Sequence, residues 1–291
     1  MVQVKRKLPE WFKVTAPTGN NFHELKSKLK QAKLNTVCEE AACPNIGECW
    51  DKKTATFMIL GDTCTRACAY CNVKTGRPEE LDLLEPFRVA NTVLELGLKY
   101  AVITSVDRDD IPDGGAKVFS MTIRQIKKIN PSCKVEVLIP DFNGKLDSLK
   151  TVLNSNPSVL NHNIESVPRI FRKVRPKGNY QQSLQLLKRS KNLQPKTPTK
   201  SGMMVGLGES KTEVKKTMED LISVGCDLLT VGQYLRPTNK HHPIIRFYSP
   251  TEFNEIKKDG IAMGFKHVAS GPLVRSSYHA DEQHLAATGL I

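Results

Sequence analysis

The sequence predicts an α/β fold of six strand–helix units, and three observations predict it. Short apolar segments recur from residue 56 onward. Several of them are continuous rather than alternating, as strands covered on both faces are. Amphipathic helical patterns lie between them. In chain order the expected strands are "TFMILG" (56–61), "YAVITSV" (100–106), "KVEVLIP" (134–140), "VLNHNIE" (159–165), "SGMMVGL" (201–207) and "LLTVGQYL" (228–235). The clearest helices are "PFRVANTVLELGLK" (86–99), "NYQQSLQLLKRSKNL" (179–193) and "KTEVKKTMEDLISVG" (211–225). Gly97 and Gly225 stand where the first and third of these would close. Such a repeat implies right-handed crossovers and a parallel sheet. An open doubly wound sheet, or a full or partial barrel, would satisfy it. Both gather ligands at the carboxyl ends of the strands. The stretches "QPKTPTK" (194–200) and "RPTNKHHP" (236–243) read as flexible loops.

Composition narrows the class. The chain has 291 residues, 39% hydrophobic and 25% charged, an ordinary globular balance. No apolar run approaches the roughly 20 residues that span a bilayer, so no membrane association is expected. The basic start "MVQVKRKLPEWFKV" lacks the hydrophobic core of a secretion signal. A cytoplasmic location is expected, or an organelle matrix after loss of a transit peptide. The formal net charge is +13. The lysines are spread out, with no compact basic block interleaved with aromatics. That argues against nucleic acid and keeps an acidic protein partner in view.

Six of the eight cysteines fall between residues 38 and 71, in two triplets: Cys38, Cys43, Cys49, then Cys64, Cys68, Cys71. Disulfides are not expected in a reducing compartment, whereas clustered thiols there bind metal or do chemistry. Structural zinc takes four ligands, commonly as C-x2-C pairs. The second triplet, C-x3-C-x2-C, offers three on one tight loop after the first strand. An iron–sulfur cluster held by three thiolates would keep one iron open to another ligand. Cys133 and Cys226 stand alone in apolar surroundings and read as small buried side chains.

"CTRACAYC" (64–71), with Tyr70 before the last cysteine, resembles the motif of the radical S-adenosylmethionine superfamily. The resemblance implies a partial (βα)6 TIM-like barrel, a 4Fe–4S cluster on Cys64, Cys68 and Cys71, and S-adenosylmethionine bound at the open iron. Such a cofactor supplies a radical where acid–base chemistry cannot open a C–H bond. The first triplet, C-x4-C-x5-C in "CEEAACPNIGECW", resembles the lipoyl synthase family. So do "TSVDRDDIPDGGA" (104–116), "LNHNIESVPRIFRKVRP" (160–176), "KSGMMVGLGE" (200–209), "VGQYLRPT" (231–238) and "VASGPLVRSSYHA" (268–280). That resemblance implies a second, auxiliary 4Fe–4S cluster on Cys38, Cys43 and Cys49, with Ser277 of "RSSY" as its fourth ligand. It implies insertion of two sulfur atoms, at C6 and C8, into an octanoyl chain on a carrier lysine, with the auxiliary cluster consumed as sulfur source. Such a hard oxygen ligand suits an iron that must be released.

The implied partners are octanoylated carrier domains (the 2-oxoacid dehydrogenase acyltransferase subunit and the glycine-cleavage carrier protein), a reductant such as ferredoxin or flavodoxin, and a cluster-repair protein. The implied organisation is an N-terminal extension (1–55), a barrel (56–265) and a C-terminal extension (266–291), the extensions carrying the auxiliary cluster. Thr104 and Ser105, with Asp107, Asp109 and Asp110, are expected to meet the cofactor's ammonium group or to cap the helix near Gly115. Asn163 and Glu165 suit its ribose, and Arg172 or Arg175 its carboxylate. Gln233 and Arg236 are expected to line the cavity, and Arg275 to meet the carrier backbone or prop the auxiliary cluster. His162 is expected in the core, and "KHHP" (240–243) in a solvated loop. Two other readings compete: a transfer-RNA methylthiotransferase, and a zinc protein that meets nucleic acid electrostatically.

Overall fold

A computed structural model describes residues 8–14, 20–40, 43–51 and 55–289. Parts of the basic start and of the N-terminal extension thus lie outside the described residues. The strands are β1 (Asn35–Thr36), β2 (Thr56–Ile59), β3 (Thr63–Cys64), β4 (Lys74–Thr75), β5 (Tyr100–Ser105), β6 (Lys134–Leu138), β7 (Val159–Asn161), β8 (Thr199–Val205), β9 (Leu228–Gln233) and β10 (His267–Gly271). The helices are α1 (Asn20–Gln31), α2 (Val37–Glu40), α3 (Ile46–Asp51), α4 (Glu85–Glu95), α5 (Ala116–Ile129), α6 (Leu146–Leu153), α7 (Pro168–Val174), α8 (Tyr180–Leu193), α9 (Lys211–Ser223), α10 (Pro250–Met263) and α11 (Ala280–Thr288).

Eight strands form one sheet in the order β1-β2-β5-β6-β7-β8-β9-β10. Every pairing is parallel except β1 with β2. The six expected strands are all present and neighbours follow chain order, as a run of right-handed βαβ units requires. Among the described residues no pairing joins β1 or β2 to β10, so the sheet is open. The segment after residue 265 begins with β10, a seventh parallel strand in register with β9.

Local chemistry sets the helix ends. Ser210 with Glu213, and Ser249 with Glu252, close capping boxes on α9 and α10. Pro168 and Pro250 open α7 and α10, where a missing N–H costs nothing. Gly97 and Gly225 take positive φ just past α4 and α9, as expected.

The outward face of the sheet packs on helices in two clusters. One runs from Phe57 and Ile103 through Phe119 and Val137. The other runs from Phe171 and Val205 through Val231 and Phe253. The tail covers the inner face at the amino-terminal ends of β5, β7 and β9. Ala280 on α11 packs on Tyr100 and Val102, and Ala287 on Val159 and Leu228. Gly232 is required here, because a Cβ at that position would stand 2.0 Å from the carbonyl oxygen of Val274.

Beneath α11 lies a polar network. Lys200 donates to Glu136 at 3.0 Å, Tyr100 to the other oxygen at 2.8 Å, and Asn161 at 3.3 Å. Both ends of the Lys200–Glu136 pair are fully buried, so either partner alone would leave an uncompensated charge. The stretch "QPKTPTK", expected to be flexible, therefore ends inside the sheet. Its apparent polarity is answered by a carboxylate on β6 that the local sequence does not reveal.

Candidate active site

The second triplet sits on the loop after β2, at the carboxyl end of the sheet where ligands gather in such folds. Four neighbouring loops hold it. Arg66, between Cys64 and Cys68, is 3% exposed. Its guanidinium forks onto Asp109 at 2.8 Å through Nε and Nη2. It forks again onto Asp141 at 2.9 and 2.7 Å through Nη1 and Nη2. Bidentate pairs of this kind fix orientation as well as charge. The Ala69 amide donates to the carbonyl of Val174 at 2.7 Å, and the Ala69 carbonyl accepts from the amide of His242 at 2.8 Å. His241 Nε2 lies 2.9 Å from the carbonyl of Cys71. The loop therefore arches from β2 to the loops after β5, β6, β7 and β9.

This arrangement corrects three expectations. Asp109 does not cap a helix; with Asp141 it grips Arg66. Asp110 pairs with Arg108 at 2.8 Å, and the α5 amides at Gly115 and Lys117 donate to Asp113 instead. The "KHHP" loop is not merely solvated, since both histidines contact the cysteine loop. Arg66, Asp141 and His241 were not read as site residues from the sequence. A charged residue inside a cysteine loop, matched by a downstream acidic run, was the available signal.

The cofactor-side residues converge near the same loop. Thr104 donates to the carbonyl of Leu138 at 2.9 Å. The Ser105 hydroxyl is buried without a partner, as are Asn163 Oδ1 and Arg175 Nε. Arg175 Nη1 donates to the carbonyl of Asn163 at 3.3 Å. Burial pushes the Glu165 carboxyl up, against the pull of Arg175, Asn163 and Tyr70. Burial also pushes the Tyr70 phenol well above its ordinary value, with Glu165 adding to it. Glu165 itself holds φ +65°, a costly backbone for a non-glycine residue, of the sort that clusters at functional sites.

Other expected residues serve the scaffold. Gln233 accepts from the amide of Tyr248 at 2.9 Å and donates to the carbonyl of Arg246 at 3.0 Å, so it braces a loop rather than lining a cavity. Arg236 donates to carbonyls of its own loop at His241 and Asn239. Arg172 is exposed. His162 is a core histidine between the Ile139 carbonyl and the Ser183 hydroxyl, and burial lowers its pKa to about 4. Cys133 and Cys226 are buried, as expected.

The first triplet occupies a different place. Cys38 lies on α2 and Cys49 on α3, with Cys43 between them. All three, with Arg275 and Ser277 of the tail, line one cavity of about 90 Å³. That is several times the roughly 10–15 Å³ one water needs. Asn45 donates to the carbonyl of Leu273 at 2.7 Å, and Tyr278 to Glu48 at 3.1 Å. Those contacts close the cavity between the two ends of the chain. Ser276, one residue earlier, accepts from Asn163 at 3.0 Å. Adjacent serines thus point to different neighbours, Ser277 to this cavity and Ser276 to Asn163.

The donor chemistry fits the clusters the motifs imply. Burial raises Cys38 and Cys71 to about 11 and Cys68 to about 12, and it also raises Cys43 and Cys64. Burial thus disfavours the thiolate at these five cysteines, so binding a metal has to displace their protons. Among the described residues no three side chains converge closely enough to hold a single ion. A cubane asks for thiols spread around a wider space, each reaching a different iron.

Comparison with known proteins adds the following. The profile of the Radical SAM superfamily matches residues 58–221, and that of the N-terminal domain of lipoyl synthase matches residues 2–43. The chain is 58% identical to a lipoyl synthase of Rubrobacter xylanophilus over 94% of this chain and 86% of that one. It is 52% identical to one of Oceanobacillus iheyensis over 97% and 90%, and 54% identical to one of Chloroflexus aurantiacus over 94% and 89%. In fold it is similar to HydG, a maturase of the [FeFe]-hydrogenase, with a TM-score of 0.59 and 18% identity over 93% of this chain and 67% of that one. It is also similar to SuiB of Streptococcus suis, with a TM-score of 0.56 and 12% identity over 86% and 52%.

Proposed function

The chain belongs to the lipoyl synthase family of radical S-adenosylmethionine enzymes, and from that premise we propose how its residues divide the work. The enzyme inserts two sulfur atoms, at C6 and C8, into an octanoyl chain borne on a lysine of a lipoyl carrier protein. It uses S-adenosylmethionine and two 4Fe–4S clusters, which together supply the radical that opens each C–H bond and the sulfur that replaces the hydrogen.

Cys64, Cys68 and Cys71 hold the cluster that meets S-adenosylmethionine. Cys38, Cys43, Cys49 and Ser277 hold the auxiliary cluster that donates sulfur. Tyr70, Ser105, Asn163, Glu165 and Arg175 surround the cofactor, with Thr104 one strand position behind. The unpartnered Ser105 hydroxyl, Asn163 Oδ1 and Arg175 Nε are the groups a polar ligand would complete. Glu165, desolvated and next to Arg175, suits a hydroxyl pair or an ammonium. Residues 1–55 and 266–291 act as one unit around the auxiliary cluster, and 56–265 as the barrel. The carriers are the acyltransferase subunit of 2-oxoacid dehydrogenases and the glycine-cleavage carrier protein. Electrons come from a ferredoxin or flavodoxin, and a repair protein rebuilds the spent cluster. No described helix is long and apolar enough to cross a membrane, and the cytoplasm is the proposed location.

One observation carries this reading: three thiols from the N-terminal segment and one serine from the tail line the same cavity. The test is direct. Reconstituted enzyme, S-adenosylmethionine, a reductant and an octanoylated carrier peptide are combined without oxygen. Mass spectrometry should find a peptide bearing two added sulfurs. A peptide left at its starting mass, from protein holding about eight irons, would overturn the assignment.

A further inference from the structure

The net charge of +13 is unevenly placed. Between residues 166 and 208 the chain carries ten Lys and Arg and no Asp or Glu. Part of that charge surrounds the outer side of the second cysteine loop. Arg172 and Lys173 lie in the last turn of α7, directly before Val174, whose carbonyl accepts from Ala69 of the loop. Lys177 donates to the carbonyl of Thr65 at 2.9 Å. Lys240 precedes His241, which contacts Cys71. All four basic side chains are exposed. Among the described residues no salt bridge engages Arg172, Lys173 or Lys240. The nearby acids Asp109 and Asp141 are turned inward onto Arg66, and Arg169 of the same helix is taken up by Glu213.

We propose that this basic face is the docking surface for an acidic one-electron donor protein, resting on the reading that Cys64, Cys68 and Cys71 hold a redox-active cluster. Charge and position argue together. The face is positive and unopposed, so it steers a partner of negative surface. It also contacts the cluster loop through Thr65, Ala69 and Cys71, which makes it a short route for an electron. In the step itself one electron leaves the donor's cofactor and enters the cluster on the second triplet. The donor is oxidised by one electron, the cluster is reduced by one, and no protein group exchanges a proton.

The test uses the holoenzyme carrying Arg172→Glu, Lys173→Glu and Lys240→Glu, with Lys257→Glu/Lys258→Glu on α10 as control. Stopped-flow absorbance follows cluster reduction by a reduced acidic flavodoxin at low and high salt. The triple variant should be reduced about ten-fold more slowly at low salt, with a flattened salt dependence. Reduction by dithionite, iron per chain and the KM for octanoylated carrier should match wild type, and the control should behave as wild type throughout. A wild-type rate and salt dependence with flavodoxin overturns the proposal. So does a raised carrier KM with an unchanged flavodoxin rate, which assigns the face to the carrier. If the triple variant loses iron, carbodiimide cross-linking of flavodoxin to the wild-type holoenzyme decides. Links at Lys173 or Lys240 support the surface, and links only elsewhere overturn it. Wild-type protein that loads no iron on the second triplet sinks the cluster reading itself, which is a separate outcome.

Discussion

The two thiol sets are held in opposite ways. Cys64, Cys68 and Cys71 sit on a loop fixed by the segments that follow β5, β6, β7 and β9, through the Arg66 forks, the Ala69–Val174 bond and the His241 contact. Cys38 and Cys49 sit on two short helices with Cys43 between them, and all three share a cavity with the tail. Across that cavity the two segments are joined by the Asn45 hydrogen bond to the Leu273 carbonyl and by contacts at Glu48. One site is part of the sheet's architecture; the other exists where two chain ends meet. The difference suits a permanent centre and an expendable one. A cluster that is spent and rebuilt needs a wall that can open without unfolding the enzyme.

The sharpest way to break the contrast is at Arg66. Arg66→Ala leaves the buried Asp141 carboxylate unpaired and should cost about 3–5 kcal/mol of stability, read by denaturant unfolding. Iron on the second triplet should fall, while iron on the first is retained, read by Mössbauer spectroscopy of selectively loaded protein. Equal loss at both would show that the two sites are not independently held.

Ser277→Cys probes the other side. A fourth thiolate binds iron more firmly than an alkoxide, so two clusters should assemble and sulfur donation should drop about ten-fold or more. Turnover at the wild-type rate would remove the argument for a weak ligand.

A third test uses pH. For Asp141 burial alone would raise the pKa, but the Arg66 hydrogen bonds and charge outweigh it and hold the carboxyl at about 2. A depressed folded-state pKa means stability present above the unfolded value, about 4, and lost as pH falls toward 2. The thermal-melt gap between apo wild type and Asp141→Asn should thus be constant from pH 7 to 5 and close below 4.

The smallest effect is expected at the cavity rim. Glu48→Gln weakens a partly exposed cluster with His279 and Tyr278, and should cost only about 0.2–1 kcal/mol. A larger loss would mean that the first site is braced more like the second.

The spacing of the cysteines and the rhythm of strands and helices were legible because both are local. A metal-binding loop must present its thiols within a few residues, and a parallel strand buried on both faces must be apolar along its length. The partners of Arg66 and Lys200 were not legible, since their carboxylates lie 43 to 75 residues away in the chain. Nor was the role of "KHHP", whose histidines read as solvent-facing until the loop after β9 is folded against Cys71.

The sequence alone determined the order of the six strands β2, β5, β6, β7, β8 and β9, the two thiol sets and their distinct spacings. Only the tertiary structure decided that Asp109 and Asp141 clamp the cysteine loop, and that the tail adds β10 and covers the inner face at the amino-terminal ends of β5, β7 and β9. It alone brought Ser276 to Asn163 and Ser277 to the first triplet. The physical reason is that a residue's own neighbours set its backbone preference, whereas its burial and its partner depend on which distant strand the sheet brings beside it.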